Sequence, residues 1–139
     1  MSTFHVDILA ADKPFYQGDC QSLRVPTSGG QYGILAGHRN MIAAIVPGTL
    51  RFRDGDGKEQ VAAVSEGMMK VENGKVLLLI DSMERPEEID ANRARREAEE
   101  AREAILQKES IQSYYTAQAR MTRALNRLKV KEQFMINDQ

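Results

Sequence analysis

Hydrophobic residues in the first eighty positions fall into short runs separated by turn-forming residues. The runs FHVDIL, SLRVP, YGIL, MIAAIV, TLRFRD, QVAAV, MMKVE and KVLLLI each suit a β-strand. Such close spacing leaves no room for crossover helices, so antiparallel hairpins folded into a sandwich or small barrel are expected. Asn73-Gly74, between MMKVE and KVLLLI, is a two-residue hairpin signal. Asp54-Gly55 with Asp56-Gly57 marks a second turn, and Pro47-Gly48 a tight corner. Gly67, between two strand-like runs, reads as a bulge or a kink at a strand end.

The pattern changes near Pro86. All ten glycines lie at or before Gly74 and no proline follows Pro86, while Ala, Glu and Arg dominate what comes after. Pro86, followed by Glu87, Glu88 and Asp90, predicts a helix start, because proline is tolerated in a first turn and acids suit the positive end of the helix dipole. Ala94, Ala98, Ala101 and Ile105 repeat at four, three and four, a narrow apolar seam. After the polar interruption Ser110-Ile111-Gln112-Ser113, a second seam runs through Tyr114, Ala117, Met121, Ala124 and Leu128. Matching seams joined by a short polar link predict an antiparallel helical hairpin.

The pattern is therefore that of an α+β chain: an antiparallel β-sandwich or small barrel over 1–85, then a two-helix antiparallel hairpin over 86–139. Each buried methyl is worth ~0.8 kcal/mol, so an alanine seam holds its helices far less firmly than a leucine seam would. High helix propensity along both segments would let them separate and stay helical. The seams are equally consistent with a permanently docked pair.

Charge sharpens the division. The formal net charge of -1 argues against nucleic acid as the main partner. Glu84 to Glu109 carries nine acids against six bases, whereas Ser110 to Gln139 carries five bases against two acids. An acidic partner would therefore meet the second helix. Cys20 is the only cysteine, so no internal disulfide can form. The N-terminal MSTFHVDILAADK lacks the features of a signal peptide, and Val76 to Ile80 is far too short to span a bilayer, so no direct membrane insertion is expected.

Candidate chemistry is sparse. His5 and His38 are the only histidines, no nucleophile motif is present, and no cluster has zinc spacing. Gly29-Gly30-Gln31-Tyr32-Gly33, with Gly37-His38 beyond it, lacks the Lys-Ser/Thr of a phosphate loop and reads as a sharp loop able to lie against a partner. Arg120, Arg123 and Arg127 share a stripe of the second helix. Antiparallel pairing would bring that stripe towards Asp90 and Arg93, where converging guanidinium groups suit phosphate oxygens. A solvated arginine face and a local Asp90–Arg93 ion pair are the plainer alternatives.

Two motifs in order resemble the epsilon subunit of bacterial F-type ATP synthases. Gly30-Gln31-Tyr32-Gly33-Ile34-Leu35-Ala36-Gly37-His38 is similar to that family's G-E-x-G-I-x-P-G-H, with Gln31 in place of the acid and Ala36 in place of the proline. Ile89-Asp90-Ala91-Asn92-Arg93-Ala94 matches its nucleotide-binding I/L-D-x-x-R-A. The resemblance implies a non-catalytic rotor subunit on the cytoplasmic face of the bacterial plasma membrane. It also implies that residues 1–85 form a flattened antiparallel β-sandwich binding the gamma subunit and the c-ring, with Gln31, Gly33, Gly37 and His38 at the rotor interface. Its hairpin would fold against the sandwich or extend along gamma to block ATP hydrolysis. In the extended state Arg120, Arg123, Arg127, Lys129 and Lys131 would meet acidic segments of the alpha and beta subunits.

The resemblance further implies ATP as a regulatory ligand, with or without Mg2+. Glu84, Ile89, Asp90 and Ala94 would surround the adenine, and Arg93, Arg123 and Arg127 would face the phosphates. A further phosphate-contacting arginine of related members aligns with Glu100. Two readings from other classes compete: a β-sandwich adaptor whose helical tail binds a partner, and a stand-alone nucleotide sensor.

Overall fold

The computed structural model describes residues 2–107 and 110–135. Lys108 and Glu109, counted above among the charges of the helical segment, and residues 136–139 at its expected end lie outside the described residues. The chain divides into two compact units, Met1–Glu84 and Arg85–Gln139.

The first unit holds β1 (Phe4–Ala10), β2 (Pro14–Thr27), β3 (Gly30–Ile34), β4 (Met41–Ile45), β5 (Gly48–Asp54), β6 (Glu59–Val64), β7 (Gly67–Glu72), β8 (Lys75–Ile80) and β9 (Met83–Glu84). The strand order is β1-β8-β7-β4-β2-β5-β6-β9; β3 pairs with β2 off this path, and β1 pairs with β2 as well. β2 is long enough to serve both layers. Its first half pairs with β1, and its second half with β3 and β5, so one strand carries the sheet around the corner. In β1, β2, β5 and β7 alternation directs one face inward: Val6 and Ile8, Leu23 and Val25, Leu50 and Phe52, and Met69 and Val71 are all buried.

Two expectations need correction. Pairing is antiparallel throughout the described residues except that β1 and β8 run parallel, with Val6 beside Val76 and Ala10 beside Ile80. No crossover helix is needed there, because the intervening strands are the connection. Nor is Gly67 a bulge. It sits in regular register opposite both Ile45 and Ile80, and glycine is required because the neighbouring backbone leaves no room for a Cβ. The start of β2 was not expected as strand, since Pro14, Gly18 and Asp19 have turn chemistry; β1 pairing overrides it.

Turn chemistry accounts for the connections. Asn73 and Gly74 have φ of 53° and 79°, the left-handed pair a tight hairpin requires between Glu72 and Lys75. In the β5–β6 turn, the Asp54 carboxylate accepts hydrogen bonds from Gln60 Nε2 (2.8 Å) and from the amides of Asp56 and Lys58 (both 3.0 Å). Those donors, Gln60 foremost, hold its carboxyl below the usual carboxylate range. Cys20 is fully buried and its thiol donates to the carbonyls of Ser22 and Arg53. Burial pushes its pKa up to about 11, so it is no nucleophile at neutral pH.

The second unit opens with a 3-10 turn at Pro86–Glu88, followed by α1 (Ala91–Gln107) and α2 (Ile111–Met135). The α-helix thus begins five residues later than Pro86 suggested. Ile89, extended at φ -76° and ψ 123°, breaks the path, and Asp90 supplies the cap. No helix among the described residues is long and apolar enough to cross a membrane.

Candidate functional site

The start of α1 is fixed by one carboxylate. Asp90 Oδ1 accepts from the Arg93 amide at 3.1 Å while the Asp90 carbonyl accepts from the Ala94 amide at 3.0 Å, the geometry of an N-cap. Asp90 therefore holds the backbone of Arg93, and the guanidinium of Arg93 turns elsewhere. Ser110 does the same for α2, its Oγ accepting from the Ser113 amide at 3.0 Å. The polar interruption seen in the sequence is thus the cap of the second helix.

The expected seams meet. Ala94, Ala98 and Ala101 of α1 and Ala117 and Ala124 of α2 are all buried, whereas Ile105, Tyr114, Met121 and Leu128 are half-buried. Small side chains permit close helix approach but contribute one methyl each, so the described contacts between α1 and α2 are short of apolar area. Ion pairs supplement them. Arg120 Nη2 lies 3.5 Å from Glu100 Oε2, and Arg127 Nη1 lies 3.2 Å from Glu97 Oε2. As the α2 number rises the α1 number falls, which fixes the antiparallel sense. Further along, Lys131 Nζ donates to the Pro86 carbonyl at 3.1 Å.

Glu97 joins two of the expected phosphate ligands. Its Oε1 accepts from Arg93 Nε at 3.3 Å, one helical turn away, and its Oε2 accepts from Arg127 across the hairpin. Arg93 and Arg127 thus come together, on a protein carboxylate. The Asp90–Arg93 ion pair weighed from the sequence is replaced by this arrangement. Arg123 is half-buried on α2, and Lys129 is exposed. Ile89 and Ala94 are buried beside the capping Asp90 in sequence. Glu84 belongs to the first unit, in β9, opposite Ala63. Glu100, at the position where the resemblance led to an expected arginine, faces Arg120.

Sequence reasoning missed Glu97 and Val130. Glu97 was one acid among many, and its role needs the register between helices. Val130 is fully buried but lies off the Ala117–Ala124–Leu128 seam. Lys131, expected to meet a partner when the hairpin is extended, donates here to the Pro86 carbonyl.

In the first unit, Gln31 and Gly33 are exposed on β3, which pairs only with β2. Gly37 has φ of 79°, a left-handed turn that places His38 edge-on to Tyr32 at 5.5 Å between ring centroids. His38 Nδ1 lies 2.8 Å from the Arg39 carbonyl, which accepts a hydrogen bond from it. Leu35 and Ile42, flanking this loop, are 65% and 68% exposed. On the same outward side of the sheet, Met68 and Leu79 are cross-strand neighbours and both exposed. This apolar row was not anticipated, because strand alternation alone does not distinguish a wet face from a docking face.

Comparison with known proteins covers both units. Residues 3–86 match the family model described as ATP synthase, Delta/Epsilon chain, beta-sandwich domain, and residues 87–132 match ATP synthase, Delta/Epsilon chain, long alpha-helix domain. The chain is 40% identical over 133 residues to the ATP synthase epsilon chain of Caldanaerobacter subterraneus subsp. tengcongensis, covering 95% of this chain and 96% of that one. It is 35% identical over 133 residues to the epsilon chain of Caldicellulosiruptor bescii, covering 96% of each. In fold it is similar to a chain of the Euglena gracilis mitochondrial ATP synthase, with a TM-score of 0.78 at 22% identity over 91% of this chain and 79% of that one. A chain of the Tetrahymena thermophila mitochondrial ATP synthase central stalk and c-ring gives a TM-score of 0.64 at 13% identity, covering 91% and 95%.

Proposed function

This chain belongs to the ATP synthase epsilon-chain family, and from that premise we propose that it is a rotor subunit whose helical hairpin is a releasable brake on ATP hydrolysis. The observation that carries this reading is the pairing of α2 bases with α1 carboxylates and with the turn at Pro86, beside a thin alanine seam. Arg120, Arg127 and Lys131 are held by Glu100, Glu97 and the Pro86 carbonyl. Exposed or half-exposed pairs of this kind are worth ~0.2–1 kcal/mol each, so they can be exchanged for partner contacts. Opening the hairpin frees these cations for acidic surfaces of the alpha and beta subunits while both helices persist. The sandwich keeps its own core, and Gln31 and Gly33 on β3, with Gly37 and His38 in the β3–β4 loop, offer a surface to gamma and the c-ring. The complex would lie on the cytoplasmic face of the membrane.

ATP enters this reading as the ligand of the closed hairpin, with or without Mg2+. Arg93 and Arg127 already share one anion, and a phosphate would take the place of the Glu97 carboxylate between them, with Arg123 on the same stripe. A ligand at a hundred times its dissociation constant stabilises the state it binds by ~2.7 kcal/mol, enough to bias a weakly held pair of helices. Isothermal titration of the full chain with ATP should release heat, and Asp90→Ala combined with Arg93→Ala should abolish it. Unchanged binding in the double variant would remove this site from the mechanism.

The division of labour has its own test. A chain ending at Arg85 should still assemble with gamma and the c-ring, and ATP hydrolysis by the reconstituted complex should rise several-fold. Loss of assembly on truncation would favour an adaptor that binds its partner through the tail.

A further inference from the structure

Three arginines of the first unit, none of them invoked above, stand together on one outward face of the sandwich. On β2, Leu23 and Val25 point inward and Ser22 and Arg24 outward; on β5, Leu50 and Phe52 point inward and Arg51 and Arg53 outward. The antiparallel register sets Arg24 opposite Arg51 and Ser22 opposite Arg53, so four outward side chains form a two-by-two block. Like charges placed directly opposite one another destabilise a sheet. Among the described residues, the one acid lining the cavity these side chains share is Glu59. Arg51 grips Glu59 Oε1 through Nε at 3.0 Å and Nη2 at 2.6 Å, and Arg53 Nη1 donates to the Gly57 carbonyl at 3.0 Å. The Arg24 guanidinium is exposed and makes no ion pair or side-chain hydrogen bond with any described residue. Together with Phe52 these residues line an open cavity of ≈ 300 Å³.

We propose that Ser22, Arg24, Arg51 and Arg53 form a binding site for a phosphate oxyanion. Three guanidinium groups against one carboxylate leave two positive charges at the cavity wall. Two of the three are already oriented by Glu59 and Gly57, so little side-chain freedom remains to be lost on binding. The planar fork of Arg24 matches two phosphate oxygens, and the Ser22 hydroxyl can donate to a third. A bound phosphate would also offset the repulsion between Arg24 and Arg51, which gives the pairing a physical reason. The phosphate could be free in solution or carried by a lipid headgroup; the chemistry recognised is the same.

Amide resonances of the full chain, followed during titration with sodium phosphate and with sodium chloride at matched ionic strength, separate a site from simple screening. Flotation with phosphatidylglycerol vesicles, against phosphatidylcholine vesicles, tests the lipid source. Phosphate-specific shifts at residues 22–24 and 51–53, weakened at least ~10-fold in Arg24→Gln and less in Arg24→Lys, establish a free-phosphate site. Capture by phosphatidylglycerol alone, lost in Arg24→Gln, establishes a headgroup site. Equal shifts with chloride, binding unchanged in Arg24→Gln, or neither phosphate nor vesicle binding overturns the proposal. Arg24 is exposed, so its variants should retain the wild-type spectrum elsewhere.

Discussion

Gly67→Ala is expected to lower the melting temperature of the sandwich by on the order of 10–20 °C. A Cβ at this position would fall well inside contact distance of the Leu79 carbonyl oxygen and 2.9 Å from Ile80 Cα. Both atoms are backbone of β8, and Gly67 is paired on its other side to Ile45 of β4, so neither neighbour can swing aside as a side chain would. Relief requires separating β7 from β8, which disturbs the burial of Met69, Val71, Leu78 and Ile80. Overpacking of this kind costs about 1–3 kcal/mol when side chains can yield, and more where only backbone can. Gly33→Ala is the control: nothing lies within 4 Å of its Cβ position, so thermal unfolding should be unchanged while any effect on rotor assembly is kept separate. Equal melting curves for Gly67→Ala and the parent chain would mean that the β7–β8 approach is looser than described.

The same glycine shows where sequence reading stops. A glycine between two apolar runs announces a special backbone position, but a bulge, a kink and a close strand approach share that signature. Only the pairing partners on both sides distinguish them. Asn73-Gly74 behaved differently, because a two-residue loop with two left-handed residues has few solutions and the neighbouring runs set its register. The long β2 lay at the other extreme. Gly18 and Asp19 are locally turn-like, yet Val6 and His5 of β1 supply the pairing that keeps them extended.

In the helical unit, local rules located the alanine seams because helical periodicity fixes which residues share a face. They could not set the start of α1, since Pro86 is as compatible with a 3-10 turn as with an α-helix. Nor could they identify Glu97 as the acid between Arg93 and Arg127. Glu97, Glu99, Glu100 and Glu103 are chemically alike in the sequence, and only the offset of one helix against the other selects Glu97 and Glu100. Candidate residues on one element were therefore legible, and the links between elements were not.

Ala124→Leu is expected to open the hairpin while leaving both helices intact, and so to strengthen inhibition of ATP hydrolysis several-fold in the reconstituted complex. Ala124 is 1% exposed and lies between the residues of the two interhelical ion pairs, Arg120 and Arg127. Three added carbons have no space there, and forcing them in costs about 1–3 kcal/mol. The opposing stabilisation is small, with ~0.8 kcal/mol for each alanine methyl and less than about 1 kcal/mol for each ion pair. A shift of 1.4 kcal/mol changes the ratio of closed to open forms about tenfold. Leucine nearly equals alanine in helix propensity, so ellipticity at 222 nm should hold while the distance between spin labels on α1 and α2 lengthens. The sign of the functional effect discriminates. Deleting residues 86–139 removes the brake and raises hydrolysis, whereas Ala124→Leu releases the brake into its engaged form and lowers it. ATP affinity should fall in Ala124→Leu, because Arg93 and Arg127 no longer share an anion. If both lesions raised hydrolysis alike, the closed hairpin rather than the opened one would be the inhibitory form, and the proposed mechanism would be reversed.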